Sequence, residues 1–320
     1  MRSQNLTKPI LLVALGGNAL IRKGQTGTIG EQLENLRVPM RQIARLSSTY
    51  HIIITHGNGP QVGDLLLKEE RCAGAGRLPL EILVAQTQGQ IGYMIESTLD
   101  SELMGLGISD QKIVSLISYV VVDEKDPAFL NPSKPIGPVL TEKEAQGLPY
   151  PVRKIHGGFR RVVVSPRPKT IVEKAEIRAL IEMDFIVICC GGGGIPVIRE
   201  GRSFCGVNAV IDKDLASARL AREVGVEIFV MATDVPAVAL DYGKPSERFL
   251  SELSLDQAEQ FLAQGQFPQG SMGPKIEAAV EFIRFGGKRA VIASLDRIEA
   301  AVLGSAGTRI TGRAEAPAPR

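Results

Sequence analysis

At 320 residues the chain has room for one large α/β domain or two smaller lobes around a sizeable core. Its 37 Lys and Arg against 35 Asp and Glu leave a net charge of +2, with 5% aromatics and no tryptophan, which excludes the basic, aromatic-bearing stripe of a nucleic-acid binder. No apolar run reaches the roughly 20 residues of a membrane helix, and the N-terminal MRSQNLTKP lacks a signal-peptide core, so a cytoplasmic protein without a membrane partner is expected.

The predicted strands are short apolar runs that stop abruptly at glycine or polar residues: ILLVAL (10–15), HIIIT (51–55), KIVSLISYVVVD (112–123), FIVICC (185–190), EIFVMA (227–232) and RAVIAS (289–294). Runs that are apolar throughout belong to strands covered on both faces, hence to a largely parallel sheet. Helical patterns fill the intervals at 30–46, with Pro39 a kink or a start, then at 81–107, 170–184, 212–225, 254–265 and 273–287. Gly225 is placed as a C-cap, and Ser254 with Gln257 as a capping box. Strand, glycine and helix in repeated order predict an α/β fold, a three-layer αβα open sandwich with a mainly parallel central sheet. The proline-rich stretch 123–152 breaks the rhythm, so about 123–165 is expected to be a small, irregular, protruding flap. The expected division is an N-terminal lobe over 1–200 that includes this flap, a C-terminal lobe over 201–312, and a disordered tail over 313–320.

Three strand ends carry glycine loops: Gly16-Gly17-Asn18, Gly57-Asn58-Gly59, and Gly191, Gly192, Gly193 and Gly194. Glycine lets backbone N–H groups approach an anion, and ligands collect at the carboxyl ends of strands in open α/β sheets. Such loops are also ordinary turn punctuation; three at equivalent strand ends favour a shared crevice. Neither G-x-G-x-x-G nor G-x-x-x-x-G-K-[ST] occurs, so a Rossmann dehydrogenase or P-loop enzyme is poorly supported. Cys72, Cys189, Cys190 and Cys205 form no Cys-x-x-Cys pair and are expected to be buried, reduced thiols; no zinc spacing joins them to His51, His56 or His156. His56 is expected to be a hydrogen-bonded loop residue.

Lys213 and Lys275 each fall in a predicted first helical turn, where a cation opposes the macrodipole at about 0.3–1 kcal/mol. Either an anion binds there, or Asp212 and Asp214 offset the charge locally. Lys134, on the flap, either swings over the same crevice or is solvated. Thr233 and Asp234 end a strand and are candidates for holding part of a nucleotide; Tyr242 lines a base pocket or a core. Glycine cradles with lysines describe phosphoryl transfer, in which positioning and charge neutralisation carry most of the catalysis.

The stretches VALGGNAL, THGNGPQVG, QTQGQIGY, DPAFLNPSKPIGP, CCGGGGIPV, AVIDKDLAS, DYGKP and GSMGPKIEAA together resemble the carbamate kinases of the amino acid kinase superfamily, over about residues 11–310. The resemblance implies reversible transfer between ATP and carbamate, giving ADP and carbamoyl phosphate, with Mg2+ held mainly by the nucleotide phosphates rather than by protein ligands, in a homodimer. By motif, it implies that Gly16, Gly17, Asn18, Gly57 and Asn58 hold the transferring group, and the Gly191–Gly193 backbone forms one wall of the crevice. Lys213 and Lys275 would neutralise charge, Asp214 and less strongly Asp212 would orient them, and Lys134 would descend onto carbamate. Thr233, Asp234, Tyr242, Met272 and Gly273 would surround the nucleotide, and Lys275 would also touch its phosphates. Three positions depart from the usual pattern: Asn208 for Glu, Phe159 for Trp and Pro236 for Asp. Two other readings stay open at this point: a related kinase with another small carboxylate or phosphate acceptor, and a nucleotide-binding sensor without turnover.

Overall fold

The computed structural model describes residues 8–71, 76–155, 157–268 and 270–312, so the expectations for Cys72, His156 and the 313–320 tail fall outside it. In chain order the strands are β1 (Ile10–Leu15), β2 (His51–His56), β3 (Lys112–Ser115), β4 (Tyr119–Val121), β5 (Lys134–Leu140), β6 (Val152–Ile155), β7 (Gly158–Val163), β8 (Thr170–Ile171), β9 (Phe185–Ile188), β10 (Ile195–Glu200), β11 (Ser203–Gly206), β12 (Ile228–Thr233), β13 (Val238–Leu240), β14 (Arg248–Leu250), β15 (Glu252–Ser254), β16 (Arg289–Ser294) and β17 (Thr308–Thr311). The helices are α1 (Ile29–Leu46), α2 (Gly59–Arg71), α3 (Leu80–Gly105), α4 (Glu142–Ala145), α5 (Lys174–Glu182), α6 (Lys213–Val224), α7 (Leu255–Ala263), α8 (Met272–Arg284) and α9 (Ile298–Val302).

Eight strands form the main sheet in the order β15-β17-β16-β12-β1-β2-β9-β3. Every pairing is parallel except β16 with β17. The alternation of side chains across a strand sorts β1 into two cores. Leu11, Val13 and Leu15 pack with Met40 and Ile43 of α1, Ile91 and Ile95 of α3, and Ile298 of α9. Ile10, Leu12 and Ala14 pack on the other face with Ile177 of α5, Leu220 of α6 and Ile276 of α8. The expected αβα sandwich is therefore present. Phe229 of β12 meets Phe282 of α8 edge-on, with centroids 5.5 Å apart; such a pair adds about 0.5–1.5 kcal/mol and ties α8 to the sheet.

The local signals explain the helix ends. Ser254 and Gln257 form the expected capping box, Thr28 and Glu31 form another, and Gly225 closes α6 at φ 78°. Pro39 lies buried inside α1, not at its start. The predicted 112–123 strand is two, β3 and β4, in different sheets, and the 185–190 strand ends at Ile188. The 170–184 helix begins only at Lys174, after the two-residue β8. The supposedly irregular flap carries an antiparallel sheet, β5-β7-β6. Prolines and glycines hid its alternation. Helix α2, for which the sequence pattern predicts no element, packs against β5 so closely that a Cβ on Gly63 would lie 2.0 Å from the Gly137 nitrogen.

The centre of the main sheet sets the site. β1 sits between β2 and β12, and Leu15 is in register with both His56 and Ala232. The chain leaves the sheet side by side at Gly16, Gly57 and Thr233. Strand order reverses about β1, which makes this carboxyl edge a topological switch point, the place where open α/β sheets bind ligands.

Candidate active site

A cavity of about 690 Å³ opens at this edge, lined by Gly16, Gly17, Asn18, Gly57, Asn58 and Gly192, and by Lys134, Asp212, Lys213, Asp214, Tyr242 and Lys275. A second cavity of about 320 Å³ shares Gly16, Gly17, Asn18, Tyr242 and Lys275 with the first and extends along Thr233, Asp234 and Met272. Most of the residues singled out from the sequence therefore meet in one continuous cleft. Gly191, Gly193 and Gly273 line neither cavity.

The backbone at the sheet edge is tightly held. The Gly16 amide donates to the Ala232 carbonyl at 2.8 Å and the Gly57 amide to the Leu15 carbonyl at 3.0 Å. Asn58 is buried, and its Nδ2 donates to Thr87 Oγ1 at 2.8 Å. The glycine run is explained by close approach more than by an open cradle. A Cβ on Gly191 would stand 2.3 Å from His56 Nε2. At Gly192, φ is +66° and a Cβ would stand 2.2 Å from Asn58 Nδ2. Cys189 and Cys190 are buried free thiols in the core, and Cys205 is a half-buried one. His56 is buried with Nδ1 3.2 Å from the Gly57 carbonyl oxygen; the expected hydrogen bond is present, but the residue ends strand β2 rather than lying in the loop. Burial, reinforced by the nearby Lys213 charge and opposed by that carbonyl, lowers its pKa to about 4.

The lysines form one network. Asp212 caps α6: its Oδ1 accepts from the amides of Asp214 and Leu215 at 2.9 and 3.2 Å, and its Oδ2 pairs with Lys134. Asp214 stands between two lysines, with Oδ1 2.8 Å from Lys213 Nζ and Oδ2 2.8 Å from Lys275 Nζ. The Lys275 contact is a hydrogen bond. The Lys213 contact is an ion pair, and beyond it Lys213 Nζ and Asp214 Oδ1 have no further hydrogen-bond partner among the described residues. Burial pushes the Lys213 pKa down against the pull of Asp214. For Lys275 burial acts the same way, but Asp214 prevails and the pKa rises. Burial would raise Asp214, yet the two ammonium groups hold it well below the usual carboxylate range. A lysine with an unfilled donor in a cavity is a group able to take a ligand oxygen.

Six cationic side chains and only two carboxylates line the larger cavity, because Arg153, Lys154 and Arg160 of the three-stranded sheet join the three lysines. Sequence reasoning missed this contribution. The available signal was the basic cluster RK…RR in the proline-rich segment, which alternation alone does not orient. Among the described residues no cluster of three or more His, Cys, Asp or Glu is arranged to hold a metal ion, and no helix is long and apolar enough to cross a membrane.

Residues 9–294 match the amino acid kinase family. The chain is 46% identical over 310 residues to the carbamate kinase of Thermococcus kodakarensis, covering 94% of this chain and 98% of the relative. Among solved structures, the carbamate kinase of Giardia lamblia bound to citric acid superposes with a TM-score of 0.90 at 37% identity, covering 95% of this chain and 99% of the other. The same enzyme bound to AMP-PNP superposes with a TM-score of 0.86 at 39% identity, with the same coverage. By sequence along nearly its whole length and by fold, the chain belongs to the amino acid kinase family, among its carbamate kinases.

Proposed function

We propose that this chain catalyses reversible phosphoryl transfer between ATP and carbamate, giving ADP and carbamoyl phosphate. The observation that carries the reading is the convergence of Lys134, Lys213 and Lys275, from three separate elements, on one cavity at the glycine loops of β1 and β2. A carbamate oxygen attacks the γ-phosphorus in line, and ADP departs with the electrons of the broken P–O bond. No covalent nucleophile is needed, because the loose transition state asks mainly for positioning and for neutralisation of its peripheral oxygens. Gly16, Gly17, Asn18, Gly57 and Asn58 hold the transferring group, with Gly192 as adjoining wall and Gly191 and Gly193 supporting it from behind. Lys213 and Lys275 neutralise the developing charge, oriented by Asp214. Lys134, once released from Asp212, engages the acceptor.

Thr233, Asp234, Tyr242 and Met272 suit the nucleotide, with Gly273 bracing the start of α8 through the hydrogen bond its amide donates to the Pro268 carbonyl at 2.9 Å. On this reading residues 1–200 carry the acceptor and 201–312 the nucleotide. Asp212 and Asp214 have their oxygens committed to lysines and backbone amides, which fits Mg2+ arriving on the nucleotide phosphates rather than on protein ligands. When bound, Mg2+ supplies charge neutralisation at those phosphates. The exposed Ile82, Tyr93 and Met104, on one side of α3, suit a homodimer contact, and the reduced cysteines suit the cytoplasm. Asn208, Phe159 and Pro236 line neither cavity, which favours carbamate over another acceptor. The deciding experiment is ATP synthesis from ADP and carbamoyl phosphate, with and without Mg2+. Robust Mg2+-dependent ATP formation is expected. Its absence, with ADP released from ATP on acetylglutamate, aspartate or UMP instead, would overturn the reading.

A further inference from the structure

The apolar run of β2 gives way to a hydroxyl at Thr55. By strand alternation Thr55 shares a face with Ile53, which packs in the core with Ala216 and Leu220 of α6. Thr55 is wholly buried, as is Ser217 of α6, and their hydroxyl oxygens stand 2.7 Å apart. Ser217 Oγ also donates to the Lys213 carbonyl one turn earlier, at 2.7 Å. A serine hydroxyl has one hydrogen and a carbonyl can only accept, so Thr55 Oγ1 is the donor to Ser217. The chain of donation runs from β2 through Ser217 to the backbone of Lys213.

This tie reaches the first turn of α6, where position matters. Lys213 Nζ has Asp214 beside it and no further hydrogen-bond partner among the described residues, so its place in the cavity depends on the backbone that carries it. The Asp212 Oδ1 cap bonds amides of α6 itself and does not tie the helix to the sheet. Ala216 and Ala218 are buried beside Ser217, but alanine contacts are non-directional and resist sliding or rotation of a helix weakly. A hydrogen bond is directional. Two buried hydroxyls also carry a desolvation cost that valine and alanine in their places would not, so packing alone does not account for the pair.

We propose that Thr55 is a positioning residue for phosphoryl transfer: through Ser217 it fixes the first turn of α6 against β2 and so sets where Lys213 meets the transferring group. This rests on the proposed activity. In ATP-forming kinetics, Thr55→Val, which keeps the shape and removes the donor, should lower kcat about 10- to 100-fold, the scale of a small misplacement at the reacting centre. KM for ADP and for carbamoyl phosphate should stay close to the parent values, because the support is lost in the transition state. Thr55→Ser should restore most of the rate. In a Lys213→Ala background Thr55→Val should cost nothing more, since a residue that acts through Lys213 has no effect once Lys213 is gone. Unchanged kcat in Thr55→Val, a loss carried by KM alone, a Thr55→Ser variant as slow as Thr55→Val, or an equal fold loss in both backgrounds would overturn the proposal. Should Thr55→Val fail to fold, Ser217→Ala cuts the same tie and is read by the same comparisons. Carbon NMR of lysines labelled at Cε gives a readout free of turnover. The Lys213 signal, identified by its loss in Lys213→Ala, should move in Thr55→Val and stay in Thr55→Ser; a signal unmoved in Thr55→Val rejects the tie. If the parent protein makes no ATP, the activity proposal fails on its own, and this signal still decides the role of Thr55.

Discussion

Lys213 and Lys275 reach the cavity from helices packed on the eight-stranded sheet, whereas Lys134 and Arg160 reach it from the small sheet β5-β7-β6. On the first wall the ammonium groups are nearly enclosed, with side-chain exposures of 9% and 13%, and both share the buried Asp214. On the second, Lys134 is 32% exposed and Arg160 has no carboxylate at all among the described residues. The first wall is assembled before any ligand arrives, with one carboxylate fixed between its two ammonium groups. The second keeps an excess of positive charge that a ligand can satisfy. A phosphoryl-transfer site gains from both: a fixed wall for the charge that develops in the transition state, and a less committed wall for capturing an anionic acceptor.

The contrast is broken most strongly at Asp214. Asp214→Asn leaves two buried ammonium groups facing each other, and removing one partner of a buried ion set costs about 3–5 kcal/mol. Denaturant unfolding should register that loss, and a change within error would mean that the lysines are not charged as described. Next is Lys213→Ala, expected to lower turnover roughly 100- to 1000-fold, the scale for one preorganised donor, while circular dichroism stays native. Undiminished turnover would remove Lys213 from the chemistry.

His56 gives the first wall a pH signature. Its folded pKa of about 4 lies below the unfolded value of about 6.5, so the unfolded chain binds the extra proton between these values. Stability therefore rises with pH across that window and is lost as pH falls from about 6.5 to about 4, by about 3 kcal/mol. Unfolding midpoints measured from pH 4 to 7 should be flatter in His56→Gln than in the parent; parallel curves would reject this origin. The smallest effect belongs to the second wall. Arg161→Gln, which cuts the pair to Glu70, should cost about 1 kcal/mol or less and raise hydrogen exchange in β5–β7 more than in the main sheet. Uniform exchange changes would mean that the small sheet is not separately held.

Six of the eight main-sheet strands were legible because their apolar runs stop at glycine or polar residues, and caps such as Ser254 with Gln257 announce the helices; the short edge strands β15 and β17, with polar residues at their ends, were not. The small sheet was not, since residues 134–163 are broken by prolines and glycines and their basic residues have no visible facing. Helix α2 was missed for a similar reason: Gly59, Pro60 and Gly63 resemble loop, and only the close pass of Gly137 over Gly63 shows why glycine is needed inside a helix. In the candidate site, Lys213, Lys275 and Asp214 could be nominated by position, but their sharing of one carboxylate could not, because Lys275 lies 61 residues from Asp214 along the chain.

Residue type and local pattern alone determined the α/β class, the glycine loops at strand ends, the first-turn lysines and the family resemblance. The first three depend on backbone sterics, alternation and capping over a few neighbouring residues, while the resemblance rests on the motifs themselves. Only the tertiary structure decided that the four-glycine run is chiefly a packing device with one residue on the cavity, and that Arg160 faces the cavity while Arg161 faces α2. Those outcomes depend on what another segment places within a few ångströms, as with His56 against Gly191 and Asn58 against Gly192, and no local pattern encodes such a contact.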